Sequence, residues 1–265
     1  MPKELQTLKR LDDRLKRAER LFNTRLENYY DDLEKGILRQ AAGYKKAKDF
    51  IIPTSKQMGI ERLMKQYFID IEKAASGFAK RELATLTDNP ELIGKLSAKD
   101  YSKANKIYAQ KLAKKQVEDF ENSIKKDIDE ALKLNPKLTT ADIKDLIKER
   151  ATVFKNTRLS TTVETEANRI TNQVRLELYK KSGLVDKLKF TAVMDARTTQ
   201  MCRSRHNTIF DINDPKIASN SPPLHVRCRS YWVTTKGKIT DNDTINNIIS
   251  ANPIPDRLKI MPETK

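Results

Sequence analysis

Apolar residues in the first half of the chain recur at intervals of three and four among dense charge of both signs. This is the spacing of helices that each bury one stripe. Leu5, Leu8, Leu11 and Leu15, then Leu21, Phe22, Leu26, Tyr29, Tyr30 and Leu33, carry it through residues 1–52, and Pro53 interrupts it. A second run extends from about Gln57 to Leu86 on Ile60, Leu63, Met64, Phe68, Ile71 and Phe78, and stops at Thr87-Asp88-Asn89-Pro90. A third covers Ser97 to Leu134 on Tyr101, Ile107, Tyr108, Leu112, Val117, Phe120, Ile124, Ile128 and Leu132, closed by Asn135-Pro136. Thr139 or Thr140 caps a short fourth helix through Ile143, Leu146 and Ile147. In a fifth, Thr161 and Glu164 have capping-box spacing. Val163, Ile170, Val174 and Leu178 share a face, and Gly183 falls where a left-handed residue ends a helix.

Beyond Gly183 the texture changes. Leu188 to Met194 can alternate as a strand, and Tyr231, Trp232 and Val233 can pair with it as a second. Residues 195–230 between them are short on helical pattern and rich in Asp, Asn, Ser and Pro. The pattern predicts a mainly α protein: a helical N-terminal region over 1–157, a small α+β C-terminal domain over 158–235, and a partly ordered tail over 236–265. The N-terminal stripes make a bundle core or a coiled-coil arm, used for attachment or scaffolding and carrying no chemistry.

Composition narrows the class. No run approaches the ~20 apolar residues of a membrane span, and the first residues lack the apolar stretch of a secretory signal. The expectation is a soluble protein kept in a cytoplasm, with no membrane partner. Only 7 glycines and a 6% aromatic share argue against a glycine-dependent nucleotide-binding fold or an all-β fold. The 52 basic against 36 acidic side chains leave a formal charge of +16, shared between residues 1–150 and 151–265. Such a surface favours polyanions, and nucleic acid is the commonest cytoplasmic one. Well-solvated lysine-rich helices would account for the same charge.

Both cysteines and both histidines lie within one short stretch: Cys202, His206, His225 and Cys228. The pattern is Cys-x3-His, an 18-residue loop, then His-x2-Cys. Two close pairs joined by a loop are what a tetrahedral zinc site requires. The loop offers only Ile209, Phe210, Ile212, Ile217 and Leu224 to bury. A structural zinc, worth roughly 10–16 kcal/mol in small peptides, would hold what packing does not. With four protein ligands the site would be closed and structural. The same residues allow metal-free packing or a Cys202–Cys228 disulfide, which a reducing cytoplasm disfavours. They also allow catalysis, by a Cys202 or Cys228 nucleophile paired with His206 or His225, or by a histidine with Asp195 and Glu166. Asp195 and Arg197 form a buried ion pair or a turn lock, and Arg203, Arg205, Arg227 and Arg229 flank the cluster, reaching phosphates or capping carbonyls.

The string Met-Asp-Ala-Arg-Thr-Thr-Gln-Met-Cys (194–202), then His206, then Pro-Pro-Leu-His-Val-Arg-Cys-Arg (222–229), preceded by Val-Glu-Thr-Glu-Ala-Asn-Arg (163–169), resembles the Mu F-like family of phage head-morphogenesis proteins. That resemblance covers about residues 160–235. It implies a minor capsid protein made late in infection. A few copies would be packaged inside the procapsid, bound to the portal protein and close to the double-stranded genome, and would assist head assembly and DNA ejection. Scaffold or major capsid protein are further implied partners. The implied location is the virion interior, reached through the host cytoplasm, and the implied role is non-enzymatic. Many members end the second segment Cys-Arg-Cys, whereas this chain reads Cys228-Arg229-Ser230. The competing classes are a nuclease or Cys-dependent hydrolase using the Cys/His cluster, and a host zinc-containing nucleic-acid-binding protein.

Overall fold

The computed structural model describes residues 3–40, 51–52 and 54–251. The chain is mainly α with a small antiparallel sheet near its C-terminal end, as the hydrophobic pattern predicts. Helix α1 runs Lys3–Gln40, α2 Thr54–Ala84, α3 Pro90–Lys95, α4 Lys99–Leu134, α5 Thr140–Phe154 and α6 Ser160–Ser182. Strand β1 (Lys187–Thr191), helix α7 (Gln200–Arg205), strand β2 (Ile209–Asp211), helix α8 (Lys216–Asn220), strand β3 (Tyr231–Thr234) and helix α9 (Asn242–Ala251) follow. The expected contributions of Leu5, Leu8 and Leu11, and the last residues of the tail, lie outside what is described.

Local chemistry explains most boundaries. Pro90, read as a breaker, sits in the first turn of α3, where its missing N–H costs nothing. Thr139 caps α5: its hydroxyl accepts from the Asp142 amide at 3.2 Å, and the Thr139 amide donates back to Asp142 Oδ2 at 2.8 Å. Gly183 ends α6 at φ +64°, a conformation in which a side chain would be strained. In α9, which lies in the tail expected to be partly ordered, Asp241 accepts from the Thr244 amide at 2.8 Å and Ile245 is buried.

The predicted start of α6 is corrected. Thr161 does not cap a new helix, because α5 passes into α6 through a π-helical turn at Lys155–Leu159 with Phe154 and Ser160 both in helical conformation. The Thr161 hydroxyl instead donates to the Thr157 carbonyl at 2.7 Å, the back-bonding of a helix interior. A π-turn holds one extra residue, so the side chains after it emerge rotated from those before it.

Two compact units account for the described residues, each assembled from separated stretches. One comprises 17–40, 51–52, 54–68 and 106–161. Its core is aromatic: Phe22 stacks on Tyr67 at 4.3 Å, and Tyr30, Phe120 and Phe154 meet pairwise with ring centroids at 5.0 to 6.0 Å. Gly59 belongs to a tight approach, since a Cβ there would stand 2.6 Å from the Tyr29 ring.

The other unit comprises residues 3–16, 69–105 and 162–251. Its sheet has the order β2-β1-β3, with Leu188 opposite Phe210 on one side and Phe190 opposite Trp232 on the other. Trp232 is fully buried, with Phe190 and Phe210 edge-on to it at 5.6 and 5.3 Å, and its Nε1 donates to Ser221 Oγ at 3.0 Å. Packing therefore orders the loop between the Cys/His pairs to a degree its own apolar content does not reveal. Phe210, Ile212, Ile217 and Leu224 are all buried, and β2, absent from the sequence prediction, pins the loop to β1.

Helix α6 is buried on every side from Thr165 to Arg175, although most of those residues are polar. Each therefore requires a partner. Arg169 pairs with Glu166 at 2.6 Å and donates to Asn105 at 3.1 Å, and Asn105 donates to Glu72 at 2.7 Å. The fully buried Arg175 donates to Glu82 at 2.9 Å and to the Tyr179 hydroxyl at 2.9 Å, and stands 4.9 Å over the Phe78 ring. Burial opposes the Arg175 charge, and the adjacent Glu82 more than restores it. Glu82→Ala should destabilise this unit by about 3–5 kcal/mol, the cost of an uncompensated buried cation. Urea unfolding followed by the fluorescence of Trp232, the single tryptophan, reads that loss.

Candidate metal centre

Three of the four expected ligands converge. Cys202, on α7, stands 3.1 Å from His225 Nε2 through its sulfur and 3.6 Å from the Cys228 sulfur. All three ligand atoms lie within 4.8 Å of one another. Both cysteines are buried and free, and their 3.6 Å separation excludes a disulfide, whose bond is about 2.05 Å. Zinc bonds of ~2.3 Å to sulfur and ~2.05 Å to nitrogen place tetrahedral S···S and S···N separations near ~3.8 and ~3.5 Å. The observed distances sit a few tenths of an ångström inside those values, so a metal ion fits with a small outward adjustment.

The fourth expected ligand, His206, is not in this group. It ends α7, and its Nδ1 accepts the Ala192 amide at 3.1 Å, which ties the end of α7 to the residue after β1. Burial and the nearby Lys189 charge lower its pKa.

Backbone geometry explains how the other three meet. Thr199 caps α7 and accepts from the Cys202 amide at 3.4 Å, aiming the first turn. The His225–Cys228 stretch is a tight turn: the Cys228 amide donates to the His225 carbonyl at 3.2 Å, and Arg227 has φ +57°, an unfavourable conformation for a residue with a Cβ. The Arg227 amide is held there by the Thr165 hydroxyl of α6 at 2.9 Å. Two more α6 side chains continue this grip. Asn168 and Asn172 donate to the Ser230 carbonyl at 3.0 and 3.1 Å, and Asn172 accepts the Trp232 amide at 3.0 Å. Sequence reasoning missed these roles of Thr165, Asn168 and Asn172. Their spacing by three and four on one helix face was the available signal.

The imidazole orientation suits a ligand. His225 Nδ1 lies 2.8 Å from the Val226 carbonyl, which takes a proton there and leaves the Nε2 lone pair facing the sulfurs. Without a metal, burial raises the Cys228 thiol, but hydrogen bonds from Cys202 and His225 outweigh it and pull it well below the ordinary thiol range. Cys202 is pushed up, first by Cys228 and then by burial, while His225 is raised by its bond to Cys228. Two sulfurs and an imidazole this close form a donor set that a divalent cation satisfies by displacing protons.

The flanking arginines divide. Arg203 is exposed and reaches the Asp195 and Thr198 carbonyls at 3.3 Å. Arg227 is exposed, 3.6 Å from Glu164. Arg229 grips Asp195 with two bonds of 2.6 and 2.7 Å. Arg205, expected to face phosphate, is buried instead and donates to Asn220 Oδ1 at 2.9 Å and the Met201 carbonyl at 3.1 Å, holding α7 against α8. Asp195 does lock a turn through the Arg197 amide at 2.9 Å, but its ion-pair partner is Arg229, and the pair is exposed. Glu166 is occupied by Arg169.

Comparison with known proteins completes the description. Residues 122–233 match the family model described as Phage Mu protein F like protein. The matched stretch, less than half of the chain, ends within β3 and contains every residue of the centre. It supports the resemblance drawn from the motifs and, with it, the class of phage head-morphogenesis proteins. No curated protein and no solved structure matches the chain. Among the described residues no helix is long and apolar enough to cross a membrane.

The Arg229 guanidinium holds the Asp195 carboxyl well below the usual carboxylate range. The pair therefore contributes stability above the unfolded value near ~4 and loses it as pH falls toward the folded value. Arg229→Ala should raise the Asp195 titration, followed by NMR, toward the ordinary range, with the Arg197 amide and Thr198 hydroxyl still holding it somewhat below.

Proposed function

We propose that this chain is a phage minor capsid protein of head morphogenesis. It is packaged inside the procapsid in contact with the portal and genome, and it assists head assembly and DNA ejection without catalysing a reaction. The single observation that carries this reading is the Mu F-like match over residues 122–233. The three converging side chains fall inside that segment and supply the local chemistry. Cys202, His225 and Cys228 hold a structural zinc that ties α7 to the turn before β3.

The helical stretches provide the attachment surface for portal or scaffold. Contact with DNA runs through phosphates and rests on the formal charge of +16 together with the exposed Arg203 and Arg227 and the half-buried Arg229. Arg205, the buried last residue of α7, is bound to Asn220 and Met201 and takes no part in this surface.

One observation favours a second reading. The 3.1 Å approach of the Cys202 sulfur to His225 Nε2 is also the geometry of a thiol activated by an imidazole, as in a Cys-dependent hydrolase. The Val226 carbonyl stands at Nδ1, where such enzymes place a carboxylate or amide to orient the ring.

Purified protein should carry about one zinc per chain, and chelation should loosen the unit that contains Trp232. Metal analysis with fluorescence-detected unfolding checks this, and a metal-free protein of unchanged stability would remove the zinc claim. Procapsids assembled with portal should incorporate the chain and portal-less particles should not. Exclusion from both would overturn the virion assignment. DNA affinity should fall steeply between low and moderate salt with little sequence preference. DNA cleavage abolished by His225→Ala in a folded protein would promote the enzyme reading.

A further inference from the structure

Three ligands leave one corner of a tetrahedron, and the residues around it differ in kind from those that hold the other three. Cys202 and His225 face a narrow cleft open to solvent, whose remaining wall includes Ser230, Arg197, Arg227 and Arg229. Ser230 is buried to 1% exposure and lines the cleft beside Cys202. Its hydroxyl is a neutral oxygen and a weak zinc ligand beside two cysteines. His206, the second imidazole of this stretch, is engaged at the Ala192 amide. Among the described residues no fourth cysteine, histidine or carboxylate joins the three, and two of them border the cleft.

The mouth of that cleft selects charge. A zinc ion bound by two thiolates and a neutral imidazole carries no net charge, so attraction must come from the surrounding side chains. Arg227 and Arg229 have acidic neighbours in Glu164 and Asp195, and Arg197 adds a third guanidinium to the same wall. Counted together these five groups are net positive by one. Guanidinium forks bind the tetrahedral oxygens of phosphate with two parallel hydrogen bonds, as they bind a carboxylate.

We infer that the metal centre has three side-chain ligands and an exchangeable fourth position on the Ser230 side, filled from the cleft by a phosphate oxygen that the arginines at its mouth steer and hold. This rests on the metal reading proposed above. The phosphate is either the free anion or a phosphodiester of DNA, and the two share the same chemistry at the metal.

Cobalt(II) in place of zinc makes the coordination sphere visible, because its ligand-field bands respond to ligand number and type. The full chain loaded with one cobalt per molecule should show a two-thiolate spectrum, and His206→Ala should bind cobalt with the same spectrum. Inorganic phosphate should shift the bands. A short DNA duplex in phosphate-free buffer should reproduce that shift if the phosphodiester is the source, and leave the bands unmoved if only the free anion enters. Ser230→Cys should add a third thiolate, raising the sulfur-to-cobalt charge-transfer intensity by about half, and should lose the response to phosphate. Cobalt bound with bands unmoved by phosphate and by duplex alike would overturn this inference while the metal reading stands, and so would loss of cobalt in His206→Ala. Failure of the wild-type chain to bind cobalt or zinc at all would overturn both.

Discussion

A stripe of side chains on α6 holds the backbone on which the candidate centre is built. Thr165, Asn168 and Asn172 lie three and four residues apart on that helix, and they bind the Arg227 amide, the Ser230 carbonyl and the Trp232 amide. In effect the helix pairs with this edge of the sheet as a neighbouring strand would, using amide and hydroxyl side chains in place of a backbone ladder. The arrangement is exacting because these groups are buried. An unpaired polar atom in such a place costs about 1–3 kcal/mol, more than a paired one contributes, so the register of β3 on α6 has little freedom. Cys228 and Ser230 inherit their positions from that register, and Arg227 is held in its left-handed conformation by it.

The second anchor is electrostatic and lies on the surface. Asp195 locks its own turn through the Arg197 amide and takes both arms of Arg229, joining the Asp-Ala-Arg segment to the Cys-Arg segment. The two motifs that identify the Mu F-like stretch are thereby brought together by an ion pair at their outer edge and by the sulfurs of Cys202 and Cys228 within. A metal ion at the sulfurs would tie α7 to the turn that α6 already holds. Its ordering work is smaller than the loop composition implies, since Phe210, Ile217, Leu224 and Trp232 share a packed core.

Buried charge also alters what the basic composition means. Arg169, Arg175 and Arg205 are all buried and bound to protein groups, so part of the positive charge is spent inside the fold. Arg205 shows why a sequence neighbourhood is a poor guide to a phosphate-facing surface. It shares α7 with Arg203, but two residues advance a helix by more than half a turn, and the two guanidinium groups leave on different sides. The exposed cations near the centre are those whose position along α7 or along the turn points them outward.

Periodicity and local chemistry made much of this protein legible from its residues. The mainly helical class, the Thr139 cap, the left-handed Gly183, β1, β3 and the gathering of Cys202, His225 and Cys228 all depend on side chains close in sequence or on a residue type with one dominant use. The π-turn that carries α5 into α6, the pairing of β2, the withdrawal of His206 to Ala192 and the burial of polar α6 were set by contacts between distant segments. A polar helix face reads as solvent-facing when its partners are unknown, and only the folded chain supplies a carbonyl or amide 60 residues away to satisfy it. The sequence by itself determined which groups were available for binding a metal. The tertiary structure decided how many of them point at one place, because that depends on backbone register and not on spacing.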